Sequence, residues 1–92
     1  MMFTLIFTES YIKRATQFFK QHPILIKQYE KTLKLLAINP HHPSLRLHAL
    51  SGKLKGLHSV SINLSYRITL NILISEKEII LINLGDHDFV YG

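Results

Sequence analysis

The stretch HPSLRLHALSGKLKGLHSVSINLSYRITLNI, residues 42–72, decides the fold. From Leu45 its apolar residues recur every second position, the period of a strand that buries one face. Leu45, Leu47 and Ala49 alternate with Arg46 and His48. Val60 and Ile62 alternate with Ser59, Ser61 and Asn63, and Tyr66, Ile68, Leu70 and Ile72 alternate with Arg67, Thr69 and Asn71. Between the first two runs, Ser51-Gly52-Lys53-Leu54-Lys55-Gly56 reads as a turn bounded by glycines. Downstream, Ser75-Glu76-Lys77 marks another turn, and the run Ile79 to Leu84, apolar but for Asn83, is the expected pattern of a central strand buried on both faces.

Upstream, the pattern differs. Met2 to Thr8 is rich in Phe, Thr, Leu and Ile and reads as a strand. Ser10 is placed to cap a helix on which Phe7, Tyr11, Ala15, Phe18 and Phe19 share a face. Gln21-His22-Pro23 breaks that helix, and Pro23 suits the first turn of a second one with a stripe of Leu25, Tyr29, Leu33 and Leu36. Lys27, Lys31 and Lys34 fall mostly on other faces, and Asn39-Pro40 ends the helix because proline disfavours the helical region in the residue before it. The expectation is an α+β domain in two layers: an N-terminal strand, a helical hairpin, then about four antiparallel strands with the helices on one face. The 92 residues allow one domain, 1–92.

Composition narrows the function. Eleven Lys and Arg against six Asp and Glu leave a net charge of +5 and favour an anionic partner. With no cysteine, a disulfide framework and a thiolate metal site are excluded. No run is long enough to span a bilayer and the N-terminus lacks a signal-peptide pattern, so a soluble, cytoplasmic protein is expected. There is no Gly-rich nucleotide loop and no Gly-x-Ser-x-Gly elbow.

Strand parity sets which side chains share a face. If the apolar positions face the helices, Arg46, His48, Ser59, Ser61, Arg67 and Thr69 face the other way, giving a polar, basic, shallow groove suited to single-stranded RNA. RNA supplies its own nucleophile, the 2′-hydroxyl. Its cleavage needs a base for that hydroxyl, a cation for the charged phosphorane and an acid for the leaving 5′-oxygen. Histidines titrate near neutral pH and arginine offers a fixed fork of donors. His48 and His87 are therefore the candidates for proton transfer, with Asp86 and Asp88 beside His87 favouring its charged form. Arg67 is the candidate for charge stabilisation. Lys53 and Lys55 are candidates for gripping phosphates and Tyr91 for stacking on a base. Spacing alone leaves bland readings open: surface histidines, a solvated arginine and lysines, and a tyrosine that packs the terminus. His22, His41, His42 and His58 look bland, and the His41-His42 pair matches no standard metal site. No cofactor or metal is expected.

In order and spacing, Leu50-Ser51-Gly52-Lys53-Leu54-Lys55-Gly56, the Tyr66-Arg67-Ile68 strand and Gly85-Asp86-His87 followed by Tyr91 resemble the RelE/ParE toxin superfamily, nearest the YafQ type of its RelE branch. The resemblance covers most of the chain and implies a strand, a helical hairpin and an antiparallel sheet. It implies catalytic roles at His48, Arg67, His87 and Tyr91, with Arg46, Lys53, Lys55, Ser61 and Ser65 on the RNA. The histidine and aspartate that the YafQ type carries in between fall here at Ser61 and Ser65, while Arg67 matches the arginine of other RelE-branch members. The resemblance further implies an endoribonuclease toxin acting on messenger RNA at the ribosome, a co-encoded antitoxin as partner, and contact with operator DNA only through the antitoxin complex. The alternatives on the same fold are a ParE-like toxin that inhibits gyrase by contact, and a decayed toxin that only binds its antitoxin.

Overall fold

The computed structural model describes residues 2–86. The elements run β1 (Thr4–Phe7), α1 (Glu9–Gln21), α2 (Ile26–Ile38), β2 (His48–Ala49), β3 (His58–Ser61), β4 (Tyr66–Leu73) and β5 (Glu78–Asp86). The sheet order is β1-β5-β4-β3-β2. The last four strands pair antiparallel in sequence order, as the short turns require. β1 joins the far edge parallel to β5, so the sheet is mixed rather than wholly antiparallel. The helical hairpin between β1 and the rest of the sheet supplies the long connection that this pairing needs.

Local chemistry explains the helix ends. The cap of α1 is Thr8, not Ser10: its hydroxyl accepts from the Tyr11 amide and donates to the Leu81 carbonyl, so one side chain starts the helix and ties it to β5. Glu9 in the first turn and Lys20 in the last suit the helix dipole. A short 3-10 turn, Pro23–Leu25, leads into α2, and Asn39 closes α2 in an extended conformation before Pro40. One layer of core is built from Tyr11, Leu36, Val60, Ile62, Ile68, Leu70, Ile79, Leu81 and Leu84, with Phe18, Phe19, Tyr29 and Leu33 packed against it.

Three further expectations need correction. The run from Leu45 is a strand only at His48–Ala49: Pro43–Leu45 is a 3-10 turn, and Arg46 takes the left-handed region at φ 50. Nothing in the residue type signals that turn, since arginine rarely adopts positive φ. Second, β5 is not buried evenly on both faces. Ile79, Leu81 and Leu84 are buried and Ile80, Ile82 and Asn83 only partly so. The core face shifts parity because β4 and β5 slip register between Thr69 and Leu70, which face Asn83 and Leu81 and leave Ile82 as the extra residue of a bulge. Third, the far face of the sheet is not an open groove throughout, because Ser59, Ser61 and Thr69 are buried.

The two helices are locked by a hydrogen bond of 2.8 Å between the hydroxyls of Tyr11 and Tyr29. Burial raises the pKa of both phenols above the ordinary value of 10.0. A raised folded-state pKa means stability that is complete below pH 10 and lost as pH rises above it, when the unfolded chain releases protons that the folded protein retains. Each such group contributes a slope of up to about 1.4 kcal/mol per pH unit. Tyr11→Phe is expected to cost about 1 kcal/mol at neutral pH and to flatten the alkaline loss relative to wild type. Urea titrations of both proteins on either side of pH 10 check this. Parallel curves would remove Tyr11 from the alkaline response.

Candidate functional site

The side chains of interest gather on the sheet face turned away from the helices, at the end where β3 and β4 pair. Arg67 lies opposite Ser61 in the ladder, and Ser59 stands two residues before Ser61 on the same face. Arg67 Nε donates to Ser59 Oγ and Nη1 donates to Ser61 Oγ, both at 2.7 Å. Nη2 donates to the Arg46 carbonyl at 3.0 Å and lies 3.2 Å from His48 Nδ1. Those partners are two hydroxyls, a carbonyl and an imidazole. They hold the guanidinium's plane without cancelling its charge, which is how a donor aimed at developing negative charge needs to be held.

The left-handed turn at Arg46 is part of this cluster. It aims the Arg46 carbonyl back at β4, where it accepts from Arg67 and lies 3.4 Å from His48 Nδ1. His48 enters from β2, paired with Ser59. When Arg67 donates to Nδ1, the imidazole is neutral with its proton on Nε2. When Nδ1 carries the proton, it points to the Arg46 carbonyl and Nε2 becomes the basic nitrogen. One carbonyl thus serves both the cation and the histidine.

The structure therefore brings together Arg46, His48, Ser61 and Arg67 from the expected set. Ser59, which the sequence reading placed on this face without a role, is the fifth member. The signal was available: Ser59, Ser61 and Arg67 share strand parity, and a part-buried arginine needs acceptors. Lys53 and Lys55 are exposed on the turn that joins β2 to β3, a 3-10 turn at Gly52–Leu54 made possible by positive φ at Gly52 and Gly56. Ser65 is exposed on the β3–β4 turn, where its amide donates to the Asn63 side chain. His87 and Tyr91 lie outside the described residues. Among the described residues no three His, Cys, Asp or Glu side chains converge as metal ligands would, and no helix is long and apolar enough to cross a membrane.

On the helix side of the same sheet end is a cleft of ≈ 650 Å³ between α1 and the ends of β4 and β5. Lys13, Arg14, Gln17 and Gln21 line it along α1, with Phe18, His22, Tyr66 and Asp86 among its other walls. The sequence reading passed over this cleft because its members are scattered over three elements.

No protein-family profile and no curated protein matches the chain. Solved structures do. YafQ from E. coli superposes with a TM-score of 0.81 at 15% identity, covering 98% of this chain and 99% of that one. In the E. coli DinJ-YafQ toxin-antitoxin complex the match covers 100% of both chains, with a TM-score of 0.78 and 15% identity. A metal-bound toxin from Helicobacter pylori gives 0.79 at 24% identity over 97% of this chain and 99% of its own. A YoeB/ParE toxin from Agrobacterium tumefaciens gives 0.73 at 16% identity over 91% and 98%. The chain has the fold of the RelE/YafQ-type toxins.

Proposed function

We propose that this protein is the toxin of a type II toxin–antitoxin pair and cleaves messenger RNA, at the ribosome, without a metal. One observation carries the reading: an arginine clamped by Ser59, Ser61 and the Arg46 carbonyl, with a histidine nitrogen 3.2 Å from it, on the sheet face away from the helices. The net charge of +5 supports an anionic substrate and an acidic neutralising partner alike.

The reaction uses the RNA's own 2′-hydroxyl. His48, through Nε2, removes its proton. The 2′-oxygen attacks phosphorus, the bond to the 5′-oxygen breaks, and that oxygen takes a proton from His87. The products are a 2′,3′-cyclic phosphate and a 5′-hydroxyl. Arg67 has five N–H donors, and its contacts among the described residues use four when His48 accepts. A phosphate oxygen takes the fifth and competes for the donor that faces His48. Losing that donor lets Nδ1 take the proton and turn to the Arg46 carbonyl, which leaves Nε2 basic. Substrate binding and activation of the base are then one event. Lys53 and Lys55 supply electrostatic grip on neighbouring phosphates, and Tyr91 stacks on a base.

Inducible expression in a bacterial host tests the reading, with primer extension on translated transcripts for wild type and His48→Ala. Cuts within translated regions are expected from wild type. In the variant they are expected to fall by about 10²- to 10⁴-fold, the contribution of a positioned base. Growth arrest without cuts would replace the nuclease with a toxin that acts by contact. Neither arrest nor cuts would leave a protein that only binds its antitoxin.

A further inference from the structure

The cleft beneath α1 is a second feature that the cleavage chemistry does not use. It presents an aromatic cluster: the His22 ring stacks on Phe18 with centroids 4.4 Å apart at 29°, and Tyr66 meets Phe18 and His22 each at 5.0 Å. All three side chains are only partly buried. Along the mouth stand the exposed Lys13, Arg14, Gln17 and Gln21 of α1. The cleft is open to solvent on its outer side and wide enough for one planar base.

We infer that this cleft is a nucleotide subsite that takes one base of a single-stranded RNA against the His22, Phe18 and Tyr66 rings. Lys13 and Arg14 face its phosphate. The inference rests on the RNA-cleaving reading and extends it to a part of the molecule that reading leaves unassigned. Three physical points support it. Bases bind single-strand proteins by stacking on aromatic and imidazole rings. The amides of Gln17 and Gln21 offer both donors and acceptors to a base edge, and the Asp86 carboxylate accepts from an exocyclic amino group or a 2′-hydroxyl. Finally, Tyr66 and Arg67 are consecutive on β4, so their side chains leave opposite faces of the same strand end. An RNA strand that wraps that end places one nucleotide in the cleft and a neighbouring phosphodiester at Arg67.

The probe is a short single-stranded RNA with 2′-O-methyl riboses, which cannot be cleaved, carrying 2-aminopurine in place of one adenine. Stacking quenches this base. Titration with wild type is expected to bind and quench it. The double variant Gln17→Glu/Gln21→Glu adds two charges to exposed positions and leaves the fold intact. It is expected to weaken binding about tenfold, whereas Gln28→Glu/Asn39→Asp, with the same added charge outside the cleft, changes it by about twofold at most at physiological salt. His22→Ala is expected to restore fluorescence and to weaken binding at least about fivefold, the low end for one stacked base. If wild type binds RNA but all three variants behave alike, the result a groove for a protein segment would give, the subsite is wrong and the RNA reading stands. If wild type binds no RNA at all, the RNA reading fails and the subsite with it.

Discussion

Arg67→Ala is expected to slow RNA cleavage by about 10²- to 10³-fold, the loss seen when a preorganised donor to a developing oxyanion is removed. The reason is geometric. Two serines and a carbonyl fix the guanidinium at 2.7–3.0 Å before any substrate arrives, so the proposed phosphorane would need little reorganisation. The substitution also has a structural cost. Ser61 loses its charged donor in a buried setting, and the Arg46 carbonyl loses a hydrogen bond, together on the order of 1–3 kcal/mol. That cost cannot imitate the catalytic effect, because about 2 kcal/mol of residual stability keeps all but a few per cent of molecules folded. Arg67→Lys separates charge from shape. A single ammonium keeps the positive charge but cannot reach Ser59, Ser61 and the Arg46 carbonyl together, so a loss of at least about tenfold is expected. Single-turnover cleavage rates, read beside urea unfolding of each variant, decide the matter. Equal rates for wild type and Arg67→Ala would make the arginine a structural clamp for the serines and nothing more.

How much of this was legible beforehand depended on how each residue is specified. The alternation of Val60, Ile62, Ile68 and Leu70 with polar residues was a direct image of one buried sheet face, and those residues are in the core. Helix ends were readable where proline dictated them, at Pro23 and Pro40. They were misread where two hydroxyls competed, since Thr8 and Ser10 are both able to cap and only the tertiary bond to Leu81 favours Thr8. The parallel pairing of β1 with β5 joins residues more than 70 positions apart and leaves no local trace. The same holds for the bulge at Ile82, which the apolar run from Ile79 to Ile82 disguised. At the candidate site, Arg67 and His48 were legible as residues on one face of the sheet. Their contact was not, because it depends on a left-handed arginine whose backbone carbonyl accepts from Arg67. A side-chain pattern cannot encode a main-chain acceptor.

Ile68→Ala should be the most damaging of the simple truncations next to the site, at about 2–5 kcal/mol. Ile68 is fully buried on β4, facing Val60 on one neighbouring strand and Leu84 on the other. The change removes three carbons from a place where a strand held on both sides cannot collapse to fill the gap, so both the transfer loss and the cavity cost apply. For a domain of this size, with a total stability of about 5–14 kcal/mol, a loss near 3 kcal/mol lowers the melting temperature by roughly 12–24 °C. Ile68→Val, one methylene smaller, should cost about 0.5–1.5 kcal/mol. The informative comparison is with its neighbour Arg67, one residue away on the opposite face. Arg67→Ala should lose activity far out of proportion to stability, and Ile68→Ala stability far out of proportion to activity when assayed well below its melting point. Thermal melts and cleavage rates on the two proteins give the pair of ratios. If Ile68→Ala melts within a few degrees of wild type, the strand is not seated as the alternation of its residues demands. The assignment of Arg67 to the opposite face, on which the proposed cleavage mechanism depends, would then fall with it.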